Sequence, residues 1–369
     1  MTNEDFMQEA IRLAKLGMGF TSPNPMVGAV IVRKGEIIAE GYHRKYGDLH
    51  AERSAFACCE ENGIECRGAD MYVTLEPCCH HGKQPPCTEA IIAHGIKRVF
   101  IGSSDPNPLV AGKGVQILRD HGIEVTEGIL KEECDALNEI FFHYITTGTP
   151  FVTMKYAMTL DGKIACYNGE SRWITGEAAR SHVHQERLRH SAVMVGVGTV
   201  IADDPLLTCR LENGRDPLRI ICDSSLRTPL DCNIMKTARE VPTIIATTSE
   251  DNELAALYEK AGCRIIKTPS RDGHVDLPFL MKLLGRERLD SILLEGGGEL
   301  NWSALRDGIV SKVQAYIAPK LFGGSGKSPL SGQGVAAPSD AFMLETVNIT
   351  HFGEDILIES RVKNVHGNN

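Results

Sequence analysis

The first 150 residues alternate between short helical and β-prone segments. Apolar residues within Glu4–Leu16 recur at helical spacing, and Gly17 offers a helix end. Two β-prone runs, Val27–Val32 and Ile37–Gly41, flank Arg33-Lys34-Gly35-Glu36, a composition that predicts a β-hairpin turn. Further predicted elements are helices over His50–Cys59, Cys87–Gly95 and Gly114–His121 and strands over Met71–Leu75 and Val99–Gly102. This alternation is typical of a layered α/β domain.

A single longer helix is predicted over Cys134–Ile145, and the small residues, glycine and proline of Thr146–Pro150 follow it. Because such stretches often join domains, we expect two domains, at 1–147 and 148–369. The second domain again has an α/β pattern, with a helical stretch over Leu300–Arg306. Its β-prone runs are Phe151–Met158, Ala192–Val197, Leu218–Cys222, Thr243–Ala246, Arg264–Lys267, Ser291–Leu294 and Lys312–Ile317.

Composition narrows the class of protein. The chain has 369 residues, of which 42% are apolar and 24% charged, as in globular proteins with enough apolar surface for two cores. The net charge of −9 is uneven, with −7 over residues 1–150, which disfavours a nucleic-acid partner. The segment Met1–Phe6 has no signal-peptide pattern, and no apolar run approaches the roughly 20 residues of a membrane helix. We therefore expect a cytoplasmic protein with twelve reduced cysteines and no membrane partner.

The strongest chemical signal is a set of metal-ligating residues in two blocks. His50-Ala51-Glu52 precedes Pro77-Cys78-Cys79-His80-His81 and Pro85-Pro86-Cys87. Thiolates and imidazole favour zinc, and three protein ligands leave a fourth position for water. A nearby glutamate can move a proton from that water to a leaving amine. His-x-Glu followed by Pro-Cys-x-x-Cys is the general signature of zinc deaminases, although here eight residues separate the two cysteines instead of two.

Spacing alone leaves the ligand set open. We favour His50, Cys78 and Cys87 as ligands and Glu52 as the proton carrier. Cys78 follows a proline as in the signature, and Cys87 lies at a predicted helix start that favours thiolate. Three neighbouring side chains compete as ligands: Cys79, His80 and His81. The structural alternative is a closed four-ligand zinc site, in which Glu52 would have no use.

The longer motifs around these residues resemble one family. The block Thr74-Leu75-Glu76-Pro77-Cys78-x-His80-His81-Gly82-x-x-Pro85-Pro86-Cys87 lies between Pro23-Asn24-Pro25 and Asp105-Pro106-Asn107-Pro108. This combination resembles the RibD family of bifunctional riboflavin-biosynthesis enzymes, which spaces its cysteines in the same way. Gln84 and Cys79 stand where that family is expected to have threonine and serine, and neither is a favoured ligand.

For the first domain, the resemblance implies a cytidine-deaminase-like α/β/α fold. The implied reaction is zinc-dependent hydrolytic deamination of 2,5-diamino-6-ribosylamino-4(3H)-pyrimidinone 5′-phosphate, at the ring carbon that bears the 2-amino group. Asn24, His43 and Lys83 are candidates for holding the pyrimidine and its phosphate. Each also has an ordinary reading, as a turn residue between prolines, a strand end and a solvated loop charge respectively.

The second domain lacks the common nucleotide-binding motifs. No Gly-x-Gly-x-x-Gly opens a βαβ unit after residue 150, and Leu321 stands where Walker A needs its first glycine before Gly326-Lys327-Ser328. Gly296, Gly297 and Gly298 follow a predicted strand, so they could aim amide groups at a phosphate or could simply form a turn. The residues alone therefore predict a phosphate-binding α/β domain.

Three further blocks resemble the reductase domain of the same family. They are Lys155-x-x-x-Thr159-Leu160-Asp161-Gly162-Lys163, Gly169-Glu170-Ser171-x-Trp173-Ile174-Thr175 and Gly198-Thr199-Val200-x-Ala202-Asp203-Asp204-Pro205. The resemblance implies a dihydrofolate-reductase-like α/β fold and reduction of the ribosyl group to ribityl by NADPH. Hydride would reach C1′ of the ring-opened imine and give 5-amino-6-ribitylamino-uracil 5′-phosphate. A homo-oligomer, dimer or tetramer, formed through this domain is also implied.

The resemblance assigns roles position by position. Lys155 is implied to be catalytic, by polarising the sugar. The implied NADPH site comprises Ala157, Trp173, Thr199, Asp203, Ser224, Gly296, Gly297 and Gly298. The residues implied to face substrate are Ser171, Arg187, Leu207, Arg210 and Glu295. The forked donors of Arg187 and Arg210 suit a phosphate.

Two other functions share parts of these motifs. A zinc nucleic-acid deaminase with an appended binding domain would use the same metal site, but the acidic charge and the lack of an interleaved basic and aromatic surface disfavour it. A zinc-stabilised interaction protein without catalysis would leave Glu52 and the blocks around Trp173 and Asp203 without a purpose.

Overall fold

A computed structural model describes residues 1–81 and 84–363. The chain forms two compact units, Met1–Gly148 and a second that begins at Thr149. No helix within the described ranges is both long and apolar enough to cross a membrane.

The first unit is a five-stranded sheet with helices on both faces. Its strands are β1 Gly28–Arg33, β2 Glu36–Tyr42, β3 Asp70–Leu75, β4 Arg98–Ser103 and β5 Glu124–Glu127. Its helices are α1 Asn3–Lys15, α2 Ala51–Glu61, α3 Cys87–Ala93, α4 Lys113–Asp120, α5 Lys131–Leu137 and α6 Glu139–Thr147. The strand order is β2-β1-β3-β4-β5, in which β1 is antiparallel to both neighbours and β3, β4 and β5 are parallel. The predicted hairpin is thereby confirmed.

Strand β1 contributes to two cores because successive side chains of a strand point to opposite faces. Ala29 and Ile31 pack in the core that contains residues of α2, α3 and α4. Val30 and Val32 pack in the core that contains residues of α1 and α5. The expected three-layer arrangement of helices around a sheet is confirmed.

The prediction of one helix over Cys134–Ile145 is wrong, because α5 and α6 meet at Asn138. The Asn138 side chain accepts a hydrogen bond from the Met26 N–H and donates one to the Met26 carbonyl, both at 2.9 Å. This reciprocal pair fixes the break against the segment that precedes β1. Helical periodicity cannot reveal a partner so distant in the chain.

The second unit is built on a nine-stranded sheet. Its strands are β6 Phe151–Thr159, β7 Ala192–Gly196, β8 Leu218–Cys222, β9 Thr243–Thr247, β10 Arg264–Lys267, β13 Ser291–Leu294, β14 Val310–Ala318, β15 Leu344–Phe352 and β16 Asp355–Val362, with a separate pair, β11 Ser270–Arg271 and β12 His274–Val275. Its helices are α7 Glu177–Arg189, α8 Val197–Asp203, α9 Asn233–Lys236, α10 Asn252–Ala261, α11 Leu277–Arg286 and α12 Gly298–Arg306. Pro338–Asp340 forms a 3₁₀ turn. The seven predicted strands are all present, whereas β15 and β16 carry no clear alternation and were not predicted.

The order of this sheet is β10-β9-β8-β7-β13-β6-β14-β16-β15. The first seven strands are parallel, and β16 is antiparallel to both of its neighbours, β14 and β15. The chain moves outward from β6 through β7 to β10 and then returns to insert β13 between β7 and β6. Strand β14 is added on the other side of β6. Open α/β sheets bind ligands at the carboxyl ends of strands where the order reverses in this way.

Candidate active sites

Three elements of the first unit bring metal-ligating side chains together. Helix α2 begins after His50, Cys78 follows β3, and α3 begins at Cys87. The His50 Nδ1 atom lies 3.5 Å from the Sγ atoms of both Cys78 and Cys87. Zinc with tetrahedral geometry and ordinary bond lengths separates such N and S ligands by about 3.6 Å. The donor atoms and their spacing therefore fit zinc.

The three competing side chains do not join this group, which is the one such cluster among residues 1–81 and 84–363. The Cys79 thiol donates to the Leu109 carbonyl at 3.6 Å. The His81 Nε2 atom lies 3.4 Å from the Glu89 carboxylate at an exposed position. His80 Nδ1 is buried without a hydrogen-bond partner. A closed four-ligand site is therefore not formed by these groups.

The surroundings favour a thiolate at Cys78. Hydrogen bonding from the Cys87 thiol lowers the pKa of Cys78 to about 4, against the opposing effect of burial. The Cys87 N–H also donates to the Cys78 Sγ at 3.4 Å, so the N-terminus of α3 faces the sulfur. Glu52 is only 3% exposed, and burial raises the pKa of its carboxyl group. A carboxyl so tuned can both accept and return a proton.

Two predicted substrate residues contact each other, and one of them, His43, lies beside the candidate ligand His50. The His43 Nε2 atom is 3.3 Å from Asn24 Nδ2, and His43 Nδ1 is 3.0 Å from the Leu49 carbonyl. A neutral ring with its proton on Nδ1 satisfies both contacts, and burial lowers the pKa of His43. The His43 and His50 rings meet edge to face at 5.4 Å. The third predicted residue, Lys83, lies outside the described residues.

Sequence reasoning missed three residues that position this site. Arg53 of α2 donates to the carbonyls of Pro85 at 3.0 Å and Pro86 at 2.9 Å, which holds the segment leading to Cys87. Gly41 lets α2 pack closely on β2, since a Cβ there would lie 2.2 Å from the Ala55 nitrogen. Neither residue carries a motif of its own.

The third missed residue, Glu76, organises the loop after β4. Its buried carboxylate accepts hydrogen bonds from the backbone N–H groups of Gly112 at 3.0 Å, Gly114 at 3.1 Å and Val115 at 3.3 Å. A buried carboxylate is stable only with such partners. The Glu76-Pro77 dipeptide before Cys78 was the available signal, because it placed a charged residue at the end of a buried strand.

In the second unit, the predicted ligand residues cluster at the carboxyl ends of parallel strands. Lys155 and Ala157 lie in the second half of β6, Thr199 and Asp203 follow β7, and Ser224 follows β8. Glu295 and the three glycines follow β13. The topology therefore gathers residues that the chain separates by up to about 140 positions.

A carboxylate and two cations meet at the end of β13. Arg187 donates from Nε to Glu295 Oε1 at 2.6 Å and from Nη2 to Oε2 at 2.9 Å, and its Nη1 donates to the Thr208 carbonyl at 2.9 Å. Burial raises the pKa of Glu295, but the Arg187 guanidinium outweighs this effect and brings that pKa down to about 2. Burial lowers the pKa of Lys155, which Glu295 counteracts. The Arg187 fork that we expected to face phosphate is therefore already paired with a carboxylate.

The loop after β6 lies against the segment after β7. The Arg172 guanidinium, next to Ser171, donates to the Asp203 carbonyl. The Trp173 ring is 61% exposed, with the Arg180 guanidinium 4.7 Å from its centroid. Lys320 donates to the Trp173 carbonyl at 3.2 Å. Lys320 thus holds the backbone of Trp173, while its indole ring stays exposed and available to a planar ligand.

The glycine run after β13 is shaped by close contacts. Gly297 precedes the first residue of α12, and a Cβ on it would lie 3.3 Å from the Thr199 Oγ1. A Cβ on Gly298 would lie 2.6 Å from Ser331 Oγ, and the Gly298 carbonyl accepts from the Ser331 N–H at 3.1 Å. Glycine at these positions therefore allows other segments to approach the start of α12.

Three other predicted residues of this site are Ser224, Leu207 and Arg210. The Ser224 carbonyl accepts hydrogen bonds from the hydroxyls of Thr247 and Thr248 at 3.2 and 3.0 Å. Leu207 is buried at a φ of 55°, and Arg210 is exposed near it in the chain. The glycine-rich loop that resembles Walker A makes a hydrogen bond within the protein. The Gly323 N–H donates to Asp161 Oδ2 at 2.7 Å.

Comparisons with known proteins match a family model to each half of the chain. Residues 1–103 match the model of the cytidine and deoxycytidylate deaminase zinc-binding region, and residues 150–358 match that of the RibD C-terminal domain. The riboflavin biosynthesis protein RibD of Actinobacillus pleuropneumoniae is 56% identical, with 97% of this chain and 95% of that protein covered. RibD of Escherichia coli K12 is 38% identical, with 97% and 99% covered.

Solved structures are also similar to this chain over nearly its whole length. A diaminohydroxyphosphoribosylaminopyrimidine deaminase/5-amino-6-(5-phosphoribosylamino)uracil reductase from Thermotoga maritima has a TM-score of 0.87 and 42% identity, with 98% of this chain and 99% of that chain covered. RibD of Acinetobacter baumannii has a TM-score of 0.85 and 36% identity over 98% of this chain and 99% of that chain. The chain therefore belongs to the RibD family of bifunctional riboflavin-biosynthesis enzymes, with a zinc-binding deaminase domain followed by a reductase domain.

Proposed function

We propose that this chain deaminates 2,5-diamino-6-ribosylamino-4(3H)-pyrimidinone 5′-phosphate and then reduces its ribosyl group to ribityl with NADPH. The observation that carries the proposal is the convergence of His50, Cys78 and Cys87 with the buried Glu52, in a chain that matches RibD relatives over nearly its whole length. Zinc held there supplies an activated water molecule, and NADPH supplies a hydride.

In the deamination step, Glu52 accepts the proton of the attacking water and delivers it to the amine that leaves as ammonia. The buried position of Glu52, which raises its pKa, supports this role. Asn24 orients the pyrimidine, and the buried His43 contacts both Asn24 and the residue before His50. Lys83 is proposed to contact the phosphate.

In the reduction step, Lys155 polarises the ring-opened sugar at C1′. The neighbouring Glu295 supports a charged Lys155, and Arg187 keeps Glu295 ionised. Exposed Arg210 is available to the substrate phosphate, while Ser171 and Leu207 complete the substrate side. The proposed NADPH site uses Ala157, Trp173, Thr199, Asp203, Ser224, Gly296, Gly297 and Gly298. Their position at the carboxyl ends of strands around the reversal supports it.

We further propose a homo-oligomer formed through the second unit. Strand β15 lies at the edge of the nine-stranded sheet and exposes Leu344, Val347 and Ile349 by 42%, 44% and 57%. An exposed apolar edge strand favours pairing with another chain. None of the twelve cysteines, all within the described residues, is joined in a disulfide, which supports the proposal of a reducing, cytoplasmic location.

The test is to incubate the purified protein with the diaminopyrimidinone substrate, with and without NADPH, and to follow products by mass spectrometry. We expect replacement of an amine by oxygen without cofactor and a gain of two hydrogens only with NADPH. Deamination alone would leave the second unit without its proposed reaction. If neither change occurs in folded, zinc-loaded protein, the proposal is wrong.

A further inference from the structure

The proposed catalytic lysine has a neighbour that no motif singled out. In the β6–β14 ladder, Lys155 pairs with Gln314 and Ala157 pairs with Tyr316, so all four side chains point to one face of the sheet. The Lys155 Nζ atom lies 5.6 Å from the centroid of the Tyr316 ring. This distance is within the range of a cation–π contact.

The Tyr316 ring is fixed in place. It is fully buried in a cluster with Ala179 and Val183 of α7 and Leu357 of β16. Its hydroxyl group lies 2.7 Å from Nδ1 of His182 on α7, a hydrogen bond. Packing in this cluster and a hydrogen bond at the hydroxyl both restrain the ring beside the lysine.

His182 in turn has two neighbours, Phe352 and Glu186. Its ring lies 4.6 Å from the ring of Phe352, at the end of β15, and its Nε2 atom is 3.9 Å from Glu186. The His182 side chain retains 21% exposure. Helix α7 and the last two strands therefore together determine where the Tyr316 ring stands.

Three charged or polarisable groups face the Lys155 ammonium. Glu295 at the end of β13 favours the charged form, Arg187 of α7 disfavours it, and the π face of Tyr316 on β14 favours it. Because Arg187 neutralises much of the Glu295 charge through a bidentate pair, the aromatic face is an independent support for the cation.

We propose that Tyr316 is a positioning residue of the reductase site, whose ring holds the Lys155 ammonium at the carboxyl end of β6 while His182 fixes the ring. The inference rests on the proposed role of Lys155 in sugar reduction. It deepens that role, because it explains how a flexible four-carbon side chain is kept charged and in one place.

The test compares Tyr316→Leu, which removes the ring, with Tyr316→Phe, which keeps the ring and loses only the hydroxyl. For Tyr316→Leu we expect the reductase kcat to fall about tenfold with KM changed less than about twofold, and the alkaline limb of kcat to move to lower pH by about one unit. The shift has this sign because loss of the ring destabilises the protonated lysine. Tyr316→Phe keeps the ring but loses the hydrogen bond to His182, so its kcat and its alkaline limb should lie between those of the wild type and of Tyr316→Leu.

Tyr258→Leu is the matched control, since Tyr258 is also buried in the second unit and its hydroxyl donates to the Leu226 and Thr228 carbonyls. It should lower stability without moving the alkaline limb. If Tyr316→Leu does not fold, His182→Ala tests the proposal instead, because it removes a partly exposed side chain and leaves the Tyr316 ring in the protein. A folded His182→Ala with an unchanged pH profile would then overturn the proposal, as would an unchanged profile in folded Tyr316→Leu.

Lys155→Met separates this inference from the proposed function. If Lys155→Met reduces substrate at the wild-type rate, the proposed role of Lys155 is wrong, and Tyr316 has nothing to position. If Lys155→Met abolishes reduction while the Tyr316 and His182 variants behave like wild type, only the positioning role is wrong. The fluorescence of Trp173 and Trp302, both in the second unit, reports whether that unit is folded in each variant.

Discussion

The candidate metal site of the first unit and the candidate ligand site of the second are assembled over very different distances along the chain. The candidate zinc ligands fall between His50, just before α2, and Cys87, at the start of α3, with Cys78 shortly after β3 between them in sequence. The residues predicted for the reductase site run from Lys155 to Gly298, with Tyr316 beyond them. The first site is a compact motif, whereas the second exists only after seven parallel strands have been ordered.

The two sites also differ in how strictly their chemistry restricts residue type. Zinc accepts few donor groups, so cysteine and histidine at a set spacing are informative by themselves. An ion pair or a phosphate contact can be built from common charged residues that also occur on any surface. A rare residue type can thus be recognised locally, while a common one acquires meaning only from its three-dimensional neighbours.

The largest expected effect tests whether the two sites are chemically separate. Glu52→Gln should lower deaminase turnover about a thousandfold, because the ligands stay while the proton carrier is lost. Zinc content, measured by elemental analysis, should remain near one per chain, and reduction of the deaminated intermediate should continue. Glu61→Gln, on an exposed turn of the same helix, is the control. Wild-type deamination in Glu52→Gln would remove Glu52 from the mechanism.

The next effect concerns the largely buried ion pair between Arg187 and Glu295 in the second unit. The pKa of Glu295, about 2 in the folded protein, lies below its ordinary value of 4.5, so its stabilising contribution is present above about pH 4.5 and is lost as the pH falls towards 2. Glu295→Gln should therefore lower the free energy of unfolding of this unit by about 3 kcal/mol at pH 7, with a smaller difference at pH 3.

Tryptophan fluorescence during guanidinium unfolding measures this effect selectively, because both tryptophans of the chain, Trp173 and Trp302, belong to the second unit. Glu299→Gln, at an exposed position in α12, is the matched control. A destabilisation of Glu295→Gln that is the same at pH 7 and pH 3 would contradict an ionised Glu295.

A smaller effect separates phosphate recognition from the rest of the second site. Arg210→Ala should raise the reductase KM about tenfold and leave deamination unchanged, since an exposed guanidinium contributes a charge-assisted contact to the phosphate. Steady-state kinetics of both reactions measure this, with the exposed Arg286→Ala as control. Unaltered reductase kinetics would remove Arg210 from the substrate site.

The smallest expected effect tests how much zinc binding at the first site depends on contacts outside the motif. Arg53→Ala loses two hydrogen bonds to the Pro85 and Pro86 carbonyls, so zinc affinity should fall about fivefold. Competition with a chelator measures the affinity, and Arg119→Ala, which removes a surface pair with Glu127, is the control. Equal zinc affinity in both variants would show that the ligand spacing alone determines binding.

Sequence patterns located most elements because burial on one face leaves a periodic trace. The strands Leu218–Cys222, Arg264–Lys267 and Ser291–Leu294 were predicted with the bounds that the structure has. The break at Asn138 was missed because its cause is a pair of hydrogen bonds to Met26, more than one hundred residues away. Strand β15 was missed because most of its residues are exposed, which leaves no alternation.

By itself, the sequence predicted the fold class, the two α/β units and the three side chains that form the candidate metal site, since these depend on local periodicity and on residue types that few other roles require. Only the tertiary structure decided that Cys79, His80 and His81 stay out of the zinc group, that Arg187 is paired with Glu295, and that Tyr316 lies against Lys155. The physical reason is that side-chain electrostatics depends on distances of a few ångströms between groups far apart in the chain. The order of the strands sets those distances.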